Sequence, residues 1–132
     1  MQMKAAPPQP SPGAIEALYA TGHWLYSQDR FKHAQSVFRA LIHIAPDDER
    51  GWLALGACHE ALDQHDIALE FYEAAGNVVH TTPRCELARA RILRRRGQVS
   101  EAREAVDEAA RIADELRDDE LRKLVAAERR RP

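Results

Sequence analysis

Three pairs of small residues recur in this chain in one register. Gly22 is matched with Ala34, Gly56 with Ala68 and Ala90 with Ala102, so that the spacing within a pair and the step from one pair to the next are both constant. Around them other side chains keep the same register. Phe38, Tyr72 and Val106 each stand one helical turn past the second small residue, Trp52, Leu55 and Gly56 spell W-x2-L-G, and Pro46 falls at the end of the first period. A small residue fixed at both members of a pair means that two helices cross too closely for larger side chains, and the following aromatic or branched residue fills the crossing.

The step from Gly22 to Gly56 to Ala90 is about 34 residues, the period of the tetratricopeptide repeat, a helix hairpin stacked on its neighbours. The predicted fold is all-α: three tandem tetratricopeptide repeats in a right-handed superhelix, closed by a C-terminal capping helix. Repeats are placed at 15–48, 49–82 and 83–116, with helices near 14–28 and 31–44, 49–62 and 66–79, and 84–96 and 99–116. Asp29, Asp63 and Gly97 occupy the equivalent turn position in each hairpin, where left-handed backbone or a helix cap is required. Asp47, Asp48 and Glu49 read as capping the entry to the second repeat, and Pro83 suits the first turn of the third. Residues 118–131 are densely charged around a narrow stripe of Leu121, Leu124 and Val125, the pattern of a solvated end cap. Four prolines in residues 1–13 disfavour helix and predict a flexible leader ahead of a single domain at 14–132.

Stacked hairpins turn their first helices toward a concave surface. Helical spacing places Glu16, Tyr19, His23 and Tyr26 on that surface in the first repeat, Arg50, Leu53, Ala57 and Glu60 in the second, and Arg84, Leu87, Arg91 and Arg94 in the third. The groove so formed is aromatic at one end and basic at the other. Leu18, Thr21, Gly22 and Leu25 take the core positions of the first helix, which leaves the tyrosines for contact with a ligand.

Other chemistry finds little support in the residues. A formal charge of −2 over 132 residues gives no overall electrostatic instruction, and no apolar run reaches the length of a membrane span. Cys58 and Cys85 stand in different repeats without a metal-site or disulfide pattern and read as reduced, structural thiols of a cytoplasmic protein. Six histidines form no H-E-x-x-H or finger spacing, and read as surface or groove residues. Neither a nucleophile elbow nor a phosphate-binding loop is present, so no enzyme, cofactor or metal is expected. Six arginines between Arg84 and Arg96 stand against one acid, Glu86, a cluster able to meet phosphates. That helix lacks the aromatic residues of a nucleic-acid platform, and an acidic client segment or a solvated face is the preferred reading, with no nucleic acid among the partners.

Beyond the period, the stretch L-Y-A-T-G-H-W-L-Y at Leu18–Tyr26 and the F-x-x-A-x-x-V-F-R-A-L pattern at Phe31–Leu41 resemble the class II type III secretion chaperones that serve translocator proteins. So do L-G-A-C at Leu55–Cys58, Q-x-D-x-A-L-E-x-Y at Gln64–Tyr72 and the pair Pro83–Arg84. The resemblance covers about Leu18 to Asp114. It implies a cytoplasmic, virulence-associated chaperone whose concave groove holds a short extended segment of a translocator, with Tyr19, His23, Tyr26, Leu53 and Leu87 lining pockets for apolar side chains and prolines. Translocators insert into membranes, so their apolar segments need cover before secretion. The resemblance also implies a homodimer and, in some relatives, a transcriptional activator as a further partner. Family members carry a longer helical segment ahead of the first repeat, where this chain has its proline-rich leader. A generic repeat scaffold for protein assembly is the alternative function.

Overall fold

A computed structural model describes residues 10–132, and within them the chain forms seven helices: α1 (Pro12–Ser27), α2 (Phe31–Ile44), α3 (Glu49–Ala61), α4 (His65–Val78), α5 (Pro83–Arg95), α6 (Val99–Leu116) and α7 (Asp119–Arg129). They run as three hairpins, α1 with α2, α3 with α4 and α5 with α6, and α7 packs on α5 and α6. The first helices of successive hairpins also touch one another, α1 on α3, α3 on α5 and α5 on α7, which makes the ordered stack that a tandem helix-hairpin repeat demands. No helix among the described residues is long and apolar enough to cross a membrane.

The leader expected at residues 1–13 lies largely outside the described residues, but its end is helical. Ser11 caps α1, its hydroxyl accepting a hydrogen bond from Ala14 N at 3.1 Å, and Pro12 sits in the first turn, where its missing N–H costs nothing. Proline thus marks a helix start here.

Each hairpin turns through one left-handed residue, at Asp29 (φ 59°), Asp63 (φ 59°) and Gly97 (φ 79°), the three positions in equivalent register. The helix crossings explain the small-residue code more closely than its spacing could. A Cβ built on Gly22 would lie 2.4 Å from Phe38, and one on Gly56 would lie 2.2 Å from Tyr72. The aromatic ring of the second helix therefore occupies the glycine's missing side chain. In the third repeat the smaller Val106 shares a core cluster with Ala90, and a methyl is tolerated there.

Three buried clusters follow one another along the stack. Ala34, Phe38, Leu41 and Leu55 anchor the first, Ala68, Tyr72, Cys85 and Ile92 the second, and Leu93, Val106, Ile112, Leu121 and Val125 the third. Leu121 and Val125 belong to α7, so the terminal helix closes the last cluster as an end cap must. Thr21, expected in the core, is exposed.

Capping also joins the repeats. Asp48 caps α3, accepting from Arg50 N at 3.0 Å, and Asp118 caps α7 in the same manner through Leu121 N. Glu49 does not serve its own helix. Its carboxylate reaches the next repeat and accepts a hydrogen bond from Cys85 N at 2.9 Å, supplying at the start of α5 the cap that Thr82 does not provide.

Candidate functional site

The inner faces of α1, α3 and α5 meet the end of α7 around a cavity of about 440 Å³. Tyr19 comes from α1, Leu53 and Ala57 from α3, and Arg84, Leu87 and Arg91 from α5, six of the residues that helical spacing assigned to the concave surface. Tyr72 forms part of the floor, α7 contributes Leu124, Ala127 and Glu128, and Arg131 follows just past the helix end. The walls are therefore aliphatic and aromatic, with charge gathered on one side.

His23, Tyr26, Arg50, Glu60 and Arg94 do not line this cavity. Tyr26 packs its ring against Phe31 with centroids 5.1 Å apart, which anchors α1 to the start of α2. His23 meets Tyr19 edge-on at 4.4 Å and Phe38 at 5.7 Å, so it supports the tyrosine from behind. Arg50 is spent inside the protein: it holds Glu16 at 2.7 Å and Asp48 at 2.8 Å, and its guanidinium stands 4.8 Å over the Tyr19 ring. Tyr19 is thereby gripped on two sides and half-buried. Burial pushes its phenol above the ordinary value, with the Arg50 charge opposing, so the hydroxyl stays protonated and able to donate.

The basic side is more balanced than the run of arginines in α5 implies. Glu128 of α7, only 3% exposed, lies 3.5 Å from Arg91, 3.5 Å from Arg94 and 3.1 Å from Arg131. Arg84 approaches Asp118, Arg89 pairs with Glu86 and Glu73, and Arg96 pairs with Asp66. The partners lie mostly in α4 and α7, beyond the reach of a reading confined to one helix. One signal was available: Leu121, Val125 and Glu128 share a face of α7 at intervals of four and three, which puts an acid at the end of the apolar stripe. The terminal helix is thus a wall of the groove as well as a cap. Among the described residues the buried Glu128 Oε2 accepts no hydrogen bond and is met only by the Arg94 guanidinium at 3.5 Å.

Little here could support covalent or metal chemistry. Burial pushes the Cys58 thiol up to about 11, and burial followed by the nearby Glu49 carboxylate pushes Cys85 higher, so neither offers a thiolate near neutrality. Among the described residues no three His, Cys, Asp or Glu side chains gather as a metal site. His59, read as a surface or groove residue, is buried. It stacks on Phe71 at 5.2 Å and shares a hydrogen bond of 2.8 Å with Gln64, which ties α3 to the turn and to α4.

No protein-family model matches the chain. In sequence it is similar to the low calcium response locus protein H of Yersinia pestis, 32% identical over 92 residues. That match covers 70% of this chain and 55% of the relative, so the chain spans about half the length of the relative it matches. In fold it is similar to the type III secretion translocator chaperone SycD of Yersinia enterocolitica, with a TM-score of 0.77 and 27% identity over 89% of this chain and 87% of that one. It is also similar to PcrH of Pseudomonas aeruginosa in complex with the chaperone-binding region of PopB, with a TM-score of 0.75 and 27% identity over 90% of this chain and 94% of that one.

Proposed function

We propose, on the premise that this chain shares the sequence pattern and the fold of the class II type III secretion chaperones, that it is a cytoplasmic chaperone holding an extended apolar segment of a translocator protein in the groove between α1, α3, α5 and α7. The observation that carries this reading is the cavity itself, a hollow of about 440 Å³ walled by Tyr19, Leu53, Leu87 and Leu124. Leu124 is 41% exposed there, an apolar side chain left facing solvent in a helix otherwise dense with charge.

Apolar side chains of the bound segment enter between Tyr19 and Leu124, which removes both from water. The Tyr19 hydroxyl bonds the carbonyls of an extended backbone. A client held in this way stays unfolded and covered until it is secreted. Binding and release need no bond-breaking chemistry, and the protein acts without being an enzyme.

Co-expression with a type III secretion translocator tests the reading. Wild type should keep the translocator soluble and co-purify with it, while Leu124→Glu, which places a charge in the groove wall, should lose both. A translocator equally soluble without the chaperone, or a variant that co-purifies as well as wild type, would return the protein to the class of general repeat scaffolds.

A further inference from the structure

We propose that the groove continues past Arg91 and Arg131 as a basic shelf that takes an acidic segment of the same bound chain. The preferred ligand is then an extended apolar stretch with Asp or Glu residues beside it. This rests on the peptide-binding reading of the groove and adds to it the chemistry of the flanking sequence.

The shelf consists of two hollows that share walls with the groove. Arg91 and Arg131 border both the groove and a hollow of about 300 Å³, which Arg94 and Arg95 complete. Arg94 and Arg131 in turn border a third hollow of about 370 Å³, where Arg103 and Arg129 join them over an aliphatic floor of Val99, Ala102 and Val106. One path therefore leads from the apolar groove along the end of the α5, α6 and α7 layer. Six arginines line its two outer hollows, and two carboxylates answer them, Glu128 beneath Arg91, Arg94 and Arg131, and Asp107 beside Arg129 at 3.0 Å. The arginines outnumber these side-chain carboxylates by four, and Pro132 also borders the middle hollow. Arg95 and Arg103 pair with no carboxylate among the described residues. The whole chain carries a formal charge of −2, so this end is set apart from the rest of the molecule.

Carboxylates suit such a path because each guanidinium presents a planar fork that matches a carboxylate bidentately. The occupant is a peptide by continuity with the groove and by the floor, which is aliphatic. Neither outer hollow has an aromatic side chain on which a base could stack.

The test uses synthetic peptides that share one proline-containing apolar core and carry an aspartate, serine or lysine run beside it, titrated by fluorescence anisotropy into the full chain. At low salt the aspartate-flanked peptide should bind about tenfold more tightly than the serine-flanked one, an advantage that shrinks as salt screens the contact. Arg95→Gln with Arg103→Gln should cut the advantage to about threefold or less and leave the serine-flanked peptide and the melting temperature unchanged, since neither arginine has a carboxylate partner to lose. Equal binding of the aspartate and serine peptides to wild type would overturn the shelf while leaving the groove intact. Failure of every peptide to bind would overturn the groove reading and the shelf together. A single-stranded RNA that displaces the aspartate-flanked peptide and is lost in the double variant would reassign the arginines to nucleic acid.

Discussion

Glu128 on α7 stands 3.5 Å from Arg91 on α5 while only 3% of its side chain reaches solvent, and through that pair the terminal helix is fastened to the groove it walls. Removing the acid leaves Arg91, Arg94 and Arg131 facing one another. Loss of one partner from a fully buried pair costs ~3–5 kcal/mol, and because these arginines keep partial exposure the expected cost of Glu128→Ala is about 2 kcal/mol. Denaturant titration reads the value. Glu128→Gln, which keeps the shape, should cost less; equal stability of wild type and Glu128→Ala would show that α7 is held by Leu121 and Val125 alone.

The glycine at a helix crossing and the glycine on an open face should respond oppositely to alanine. Gly56→Ala drives a Cβ to within 2.2 Å of the Tyr72 ring and should destabilise by about 1–3 kcal/mol through overpacking. Gly76→Ala, in α4 with nothing within 4 Å of the new carbon, should stabilise by about 0.5–1 kcal/mol, because alanine loses less backbone freedom in a helix. Melting curves of the two variants decide it, and a shift of the same sign in both would refute the account of the crossings.

Arg50 makes a pH-dependent contribution of known sign. By hydrogen bonding it holds the carboxyls of Glu16 and Asp48 below their ordinary values. Stability from a carboxylate lowered in the folded state is complete above its unfolded value and is lost as pH falls through the folded one. Arg50→Met should therefore be less stable than wild type near neutrality, with the gap closing as pH falls from about 4. Glu49 and Glu86, raised by burial, favour the folded state at low pH and lose that contribution as pH rises, but they do so in both proteins and cancel from the difference. A gap that persists in acid would assign the loss to packing over the Tyr19 ring instead of to charge.

The hairpins were legible because the period repeats one local rule: Asp29, Asp63 and Gly97 turn left-handed where the register puts a turn. The groove was half legible. Tyr19, Leu53, Ala57, Arg84, Leu87 and Arg91 follow from helical spacing within each repeat, since the stack carries that face inward. Tyr26 has the same spacing but turns to Phe31, a choice made between two helices and invisible along one. Glu128 and Glu49 were missed for a related reason. Each acts on a neighbouring unit far along the chain, Glu128 on Arg91 and Glu49 on Cys85, whereas a charged run and an acidic helix start are ordinarily interpreted within their own helix.

Tyr19 and Tyr26 should part company when truncated. Tyr26→Ala removes a ring packed on Phe31 and should lower the melting temperature with little effect on peptide affinity. Tyr19→Ala should weaken peptide binding by ~2 kcal/mol, as aromatic anchors do, since its ring faces the cavity. Both variants giving the same pattern would mean that the two rings play one role.

The groove itself is tested most directly by calorimetric titration of a proline-containing apolar peptide, taken from a type III secretion translocator, into wild type and into Tyr19→Ala with Leu124→Glu. The account predicts a single site in wild type and a loss of at least about tenfold in affinity in the double variant, which melts lower because the Tyr19 ring packs on His23 and Phe38 but is still folded at the temperature of the titration. Equal affinities for the two proteins would contradict it.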